Sequence, residues 1–261
     1  MAVGLAGLSA QNAPATSAAA RASTAPVVQL DPFSVTADSD VGFVAASSLA
    51  GGRIATALKD TPVSYSVVTK EFLDAFNITE IGEAANFTVG ADWHPGEGTD
   101  KNYAGGTGNR VRIRGIGQNM KARNFFQMDY QQADSYNVDR VDYARGANSV
   151  LFGPGGAAGT ENINTKQAVL GRDITEMRLQ LGSYNMYRTT FDINRPIGDR
   201  FALRTNVMFG SKDSFRDRLW EDKKGIHVTG TYQVTPKFSI RAEAEYYTVN
   251  ESHAVQHWND Y

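Results

Sequence analysis

The sequence predicts an α+β domain of mixed sheet and short helices, followed by the start of an antiparallel β-structure of about five strands. Three observations carry this. Up to Lys166, capping residues precede apolar residues at helical spacing and short β-prone runs lie between polar loops. After Gln167 the apolar residues alternate strictly with polar ones, the period of a strand with two unlike faces. No stretch approaches the roughly 20 apolar residues of a spanning helix, so any meeting with a membrane must be made by strands.

The 261 residues carry a net charge of -2, 41% hydrophobic residues and no cysteine. Balanced charge without a basic run removes the footprint of a nucleic-acid binder. The absence of cysteine excludes thiolate metal sites and thiol nucleophiles, and suits an exported protein.

Met1 to Ala22 has a short apolar run through Leu5 and Leu8, then small residues, like the tail of a secretory signal without its basic region. Either the true start lies upstream of Met1 or this is an Ala-rich leader. Gln11 to Pro26 is mostly Ala, Ser, Thr and Pro and is expected to be disordered. Val27 to Ala37 is a short β-prone stretch broken by Pro32. It is read either as a strand waiting for another protein's sheet edge or as an edge strand of its own domain.

Ala55 to Lys166 reads as the compact α+β domain. Val63 to Val68 is a strand, Thr69 caps a helix running through Lys70 to Phe76, and Thr79 caps a second with Glu80 in its first turn. Arg110 to Arg114 and Val138 to Tyr143 alternate as strands do. Asp92 to Asn109 and Gly115 to Asn124 are rich in Gly and Asn and read as loops. Asp92, His94, Glu97 and Asp100 cluster in the first and are candidate ligand contacts.

The period-two strands are marked by Met177 to Leu181, Tyr187 to Ile193, Phe201 to Phe209, Ile226 to Tyr232 and Phe238 to Tyr246. Short turns, Pro196 to Asp199 and Thr235 to Lys237, alternate with the longer polar link Ser211 to Lys224, as in outer-membrane barrels. Tyr184, Tyr187, Trp220, Tyr232, Tyr246 and Tyr247 stand near strand ends, where an interfacial belt would place them. A soluble antiparallel sheet gives the same alternation, so both readings stay open on pattern alone.

Several chemistries fail on their motifs. The Gly-rich run has no lysine after Gly159, as a Walker loop requires, and His253 and His257 lack the glutamate of HExxH, Ala254 standing in its place. No nucleophile, base and orienting acid assemble. The expectation is a protein that is not an enzyme, with no metal and no cofactor.

Val138 to Lys166 reads VDRVDYARGANSVLFGPGGAAGTENINTK. It closely resembles the end of the plug domain of TonB-dependent outer-membrane receptors. Arg112 to Gly117, RIRGIG, resembles that family's first Arg-Gly motif, and Leu58 to Lys70, LKDTPVSYSVVTK, its opening strand. The alternating strands then fall where the family's barrel begins. The resemblance implies a leader at 1–26, a TonB-box segment and linker at 27–54, a plug at 55–168, and the first strands of an incomplete transmembrane β-barrel at 169–261. It implies that Asp31, Pro32, Phe33, Ser34, Val35, Thr36 and Ala37 form the TonB box. It also implies that Arg114 and Arg145 anchor the plug to glutamates of later barrel strands; an intradomain pair with Asp129, Asp139 or Asp142 is the alternative. Gly153, Gly155, Gly156 and Gly159 would permit tight turns and close backbone approach.

The implied function is energy-coupled uptake of a large scarce solute, such as a ferric siderophore, cobalamin or glycan, across the outer membrane of a Gram-negative bacterium. The plug would face the periplasm and the barrel lumen. The implied partners are TonB, with ExbB and ExbD indirectly, an extracellular ligand and outer-membrane lipid, and no nucleic acid. A soluble plug-like ligand-binding module is the rival; a hydrolase using the Asp92 to Asn109 loop has no support. Transporters of this kind close about 22 strands around a plug. The residues after Ala168 are too few for that, so the chain is expected to be a piece of a longer receptor or a split reading frame.

Overall fold

A computed structural model describes residues 42–43, 47–48, 56–57, 64–95, 109–115, 120–128, 134–146 and 158–252. Strands β1 (Ser47–Ser48) and β2 (Thr56–Ala57) pair with each other. The first sheet is built from β3 (Ser64–Thr69), β6 (Met120–Arg123), β7 (Phe126–Gln127), β8 (Val138–Arg145) and β9 (Gly159–Thr165), in the order β3-β8-β9-β6-β7. It is mixed, because β6 runs parallel to β9 while the other pairs are antiparallel.

Helix α1 (Lys70–Ala75) starts where expected: the Thr69 hydroxyl accepts from the Phe72 amide at 3.3 Å. A 310 helix (Ile81–Phe87) follows, then the hairpin of β4 (Ala91–Pro95) and β5 (Asn109–Ile113). Val68, Val141, Tyr143 and Ile163 from the sheet close a core with Leu73, Ile78, Ile81, Ala84, Val111 and Ile113. Gly82 lets the 310 helix lie under Trp93, since a Cβ there would come within 2.2 Å of the indole nitrogen.

Three local expectations are corrected. Thr79 is not a cap: Glu80 holds that position without a side-chain cap bond, being drawn into a bridge with Asp134 and an ion pair with Lys223. Asp92 to Pro95 is strand β4 rather than loop, with Asp92 opposite Arg112 and His94 opposite Arg110. Met120 to Arg123, inside the expected Gly115 to Asn124 loop, is strand β6, because β9 supplies a parallel edge for it. Its turn into β7 places Asn124 at φ 48° and Phe125 at φ 69°, the left-handed pair that a tight two-residue hairpin requires.

Gly159 opens β9 at φ +148°, and a Cβ there would meet the Ala144 carbonyl oxygen at 2.2 Å. Both conformation and space forbid a side chain. Gly159→Ala is expected to destabilise the domain by roughly 1–3 kcal/mol, the scale of local backbone strain, read as a lowered denaturant midpoint. An unchanged midpoint would mean that β8 and β9 separate there without cost.

The second sheet is a meander, β10 (Ile174–Leu181), β11 (Tyr187–Ile197), β12 (Phe201–Asp213), β13 (Trp220–Thr235) and β14 (Phe238–Glu251), each strand antiparallel to its chain neighbour. The expected link Ser211 to Lys224 shrinks to 214–219, because its polar residues extend both strands: Lys212 stands opposite Glu221 and pairs with it at 3.1 Å. One row across the sheet reads Met177, Phe191, Val207, Ile226, Tyr246, and none of these side chains is buried. The opposite face carries the buried residues Arg188, Asp192, Asn194, Arg204, Asn206, Lys223, His227, Thr229 and Thr231.

A soluble sheet hides its apolar face and wets its polar one. This sheet does the reverse, as transmembrane barrel strands do. Tyr184, Tyr187, Trp220 and Tyr232 are exposed as belt residues should be, but two placements are corrected: Tyr246 is exposed mid-strand, opposite Ile226, and Tyr247 is not on the outer face. It lies on the inward face, with its ring stacked on Tyr136 at 6.2 Å.

Candidate functional site at the junction of plug and wall

The inward polar face of the meander is covered by the first domain, and the contacts are charged along its length. Helix α1 puts Lys70 and Asp74 on one stripe, the spacing of neighbours on a helix, and Asn77 follows just past its end at φ 55°. They meet Glu176, Arg178 and Gln180 of β10 in order: Lys70 donates to Glu176 at 2.9 Å, Arg178 pairs with Asp74, and Gln180 bonds Asn77. Burial alone would lower the Lys70 pKa, but Glu176 and Asp74 more than offset it and raise it.

At the centre, Lys166 leaves β9 and is buried against β11. Its ammonium donates to the Tyr136 carbonyl at 2.8 Å and pairs with Asp192 at 3.0 Å. Arg204 grips the same carboxylate with two parallel bonds of 2.8 Å, the bidentate form that fixes geometry as well as charge. Burial holds the Lys166 pKa below its ordinary value despite Asp192. Asp134 accepts from Arg188 of β11 at 2.6 Å, and Glu80 pairs with Lys223 of β13.

On the other side, Glu245 of β14 pairs with Arg123, accepts the Tyr136 hydroxyl at 2.6 Å and accepts Asn137 at 3.0 Å. Burial and this carboxylate push the Tyr136 phenol well above the ordinary tyrosine value. Tyr136 reaches the wall only because Gly225 is bare, a Cβ there coming within 2.8 Å of its ring. Glu243 accepts from Asn124 at 3.0 Å and Thr165 at 2.8 Å, and His227 approaches it at 3.4 Å. A cavity of about 340 Å3 remains between α1, Ser135, Lys166 and strands β10 and β11.

The residues singled out in the sequence lie apart from this network. Arg114 is exposed at φ 56° at the end of β5, its amide donating to the Gly90 carbonyl at 2.7 Å. Arg145 is half-buried and donates to the Ser64 hydroxyl at 2.7 Å and to that of Ser66. Burial and the neighbouring Arg114 charge lower its pKa. Among the described residues no ion pair joins a carboxylate to either arginine; Asp142, one of the alternatives, is bound by Arg140 at 2.6 Å. Asp129, Gly153, Gly155, Gly156, Glu97, Asp100 and the segment Asp31 to Ala37 lie outside the described residues. Asp92 and His94 stand on β4, and among the described residues no three His, Asp or Glu side chains gather as for a metal.

Sequence reasoning missed Asp134, Tyr136, Asp192, Arg204, Glu243 and Glu245. Their signal was present: Arg188, Asp192 and Arg204 fall on the polar parity of alternating strands, and charge repeated on one face of a strand calls for a partner. Gly225 interrupts a strand, which marks close approach of another group.

Residues 57–160 match the TonB-dependent receptor plug domain family. The metal-pseudopaline receptor CntO of Pseudomonas aeruginosa is 28% identical over 235 residues, covering 86% of this chain and 32% of that protein. The probable TonB-dependent siderophore receptor PiuA of Acinetobacter baumannii is 28% identical over 76% of this chain and 26% of its own length. Among solved structures, the pyoverdine outer membrane receptor FpvA from Pseudomonas aeruginosa superposes with a TM-score of 0.73 at 20% identity, over 85% of this chain and 33% of that one. The crystal structure of PiuA gives 0.63 at 27% identity, over 74% and 27%. The chain thus spans about a third or less of the length of these relatives. Residues 57–160 are thus a TonB-dependent receptor plug domain, and the mixed sheet is seated on a meander that is polar within and apolar without.

Proposed function

We propose that this chain forms the plug and first barrel strands of a receptor that takes up a ferric or other metal–siderophore complex across the outer membrane of a Gram-negative bacterium. The observation that carries the reading is the inverted sheet: its apolar face suits lipid, and its charged face is occupied by the plug. The solute class follows from the relatives, which are named as receptors for metal-pseudopaline and siderophores; cobalamin and glycan gain no support from them. In this reading substrate binds on the external side and the plug blocks the lumen. TonB, energised through ExbB and ExbD, grips Asp31 to Ala37 from the periplasm and displaces the plug. Binding and displacement suffice, with no covalent step. Arg114 and Arg145, uncommitted to carboxylates among the described residues, are proposed to meet glutamates of later barrel strands.

Val35→Pro tests the grip, because β-augmentation depends on backbone donors and proline removes one. In cells carrying the receptor, uptake of a labelled ferric siderophore should be abolished while surface binding is kept. Ser34→Ala should be nearly silent. Normal transport by Val35→Pro would move the grip elsewhere, for instance to Val27 to Leu30; loss of binding would make the segment part of the folded plug.

A further inference from the structure

Helix α1 has a second stripe that the contacts with β10 leave unused. Phe72 and Phe76 stack at 4.4 Å on the side away from Lys70 and Asp74, and Phe87 closes on both at 5.4 and 5.2 Å. Onto this cluster, from outside the plug sheet, comes Phe43: its ring meets Phe72 edge-on at 5.4 Å and Phe76 at 6.2 Å. Beside it the Gly42 carbonyl accepts the Thr69 hydroxyl at 2.9 Å. That hydroxyl also caps α1, accepting from the Phe72 amide, so one side chain joins the helix start to the incoming chain.

We propose that Phe43 is a clasp holding the N-terminal segment against α1, and that α1 is the strut joining this segment to barrel strand β10. The inference rests on the function proposed above only for what the clasp serves: it fixes the point where the segment carrying Asp31 to Ala37 leaves the folded plug. The clasp itself is a matter of rings. Phe43 is still 55% exposed and Phe76 51%, so its hold is partial and reversible. A pull applied N-terminal to Gly42 meets the ring contacts first, then α1, and through Lys70, Asp74 and Asn77 the wall.

Since the chain has no cysteine, a nitroxide placed at Asp40→Cys labels one site only. In the full chain the label should be held while Phe43 is docked. The ring contacts of Phe43 with Phe72 and Phe76 stabilise the docked state beyond the area they bury, and a tenfold change in the ratio corresponds to about 1.4 kcal/mol. Phe43→Ala should therefore raise the ratio of mobile to held label about tenfold. Phe76→Ala should raise it in the same direction, and Phe43→Trp should restore the held spectrum. The unfolding midpoint of Phe43→Ala should stay that of the parent, since Phe43 lies outside the plug core. A label equally mobile in parent and Phe43→Ala, or unmoved by Phe76→Ala, overturns the clasp. No TonB or substrate enters the measurement, so failure of the transport reading would leave this result standing.

Discussion

Asp192→Ala is expected to lower the unfolding free energy by roughly 3 to 5 kcal/mol, the cost of stripping one partner from a buried ion pair. The carboxylate accepts from Lys166 at 3.0 Å and from Nε and Nη2 of Arg204 at 2.8 Å, and all three residues are buried. Its removal leaves two buried cations facing each other across the junction. Because Lys166 belongs to the plug and Arg204 to the wall, the loss should appear as separation of plug from wall before either unfolds. A denaturant titration followed by hydrogen exchange of β9 and β12 reads both. Adding Lys166→Met to Asp192→Ala should recover part of the loss, since one orphaned charge is then gone. A cost under about 1 kcal/mol would be that of a solvated pair and would mean that the junction is wet.

Ile226→Arg should cost roughly 2–4 kcal/mol when the receptor is folded into a bilayer, the penalty for arginine near the midplane of the lipid-facing surface. Ile226 is 43% exposed and lies in the apolar row between Val207 and Tyr246. In water the same change would be close to neutral, as surface substitutions are. Arginine at Ser214, in the turn between β12 and β13, is the control and should be tolerated. Folding into lipid vesicles against urea separates the cases, and equal stability of the Ile226 variant and its parent would return the sheet to the soluble reading.

Much of this architecture is legible in the chain, for reasons that also explain the gaps. Strict alternation within the runs between Met177 and Tyr246 reveals five strands because each strand residue there faces either the apolar outer side or the polar inner one. Alternation says that two faces differ, not which one is covered, so the inward turn of Tyr247 needed Tyr136 to be seen against it. Strand ends were underestimated where both neighbours are polar, as at Lys212 and Glu221, which extend the sheet through an ion pair rather than through apolar pattern. Strand β6 was hidden in a Gly-rich stretch because its parallel partner β9 lies some 40 residues on, beyond the reach of any local period. The junction residues were invisible one by one: Asp134 looks like any turn aspartate until Arg188 is placed 2.6 Å from it.

The two sheets differ in how far apart in the chain their partners lie, and that difference sets an order of assembly. Each strand of the meander pairs with the next, so it can zip hairpin by hairpin with small loop-closure cost. The plug must instead bring Ser64 to Arg145, 81 residues away, before β3 has any partner, and such distant pairings slow folding. A wall that forms first would present Arg188 without its carboxylate partner Asp134, and the Asp192–Arg204 pair without the Lys166 ammonium. The charged lumen face then acts as a template, holding its final shape only once the slower domain arrives, so that a newly made chain passes through a stage at which its weakest point is the inside of its own wall.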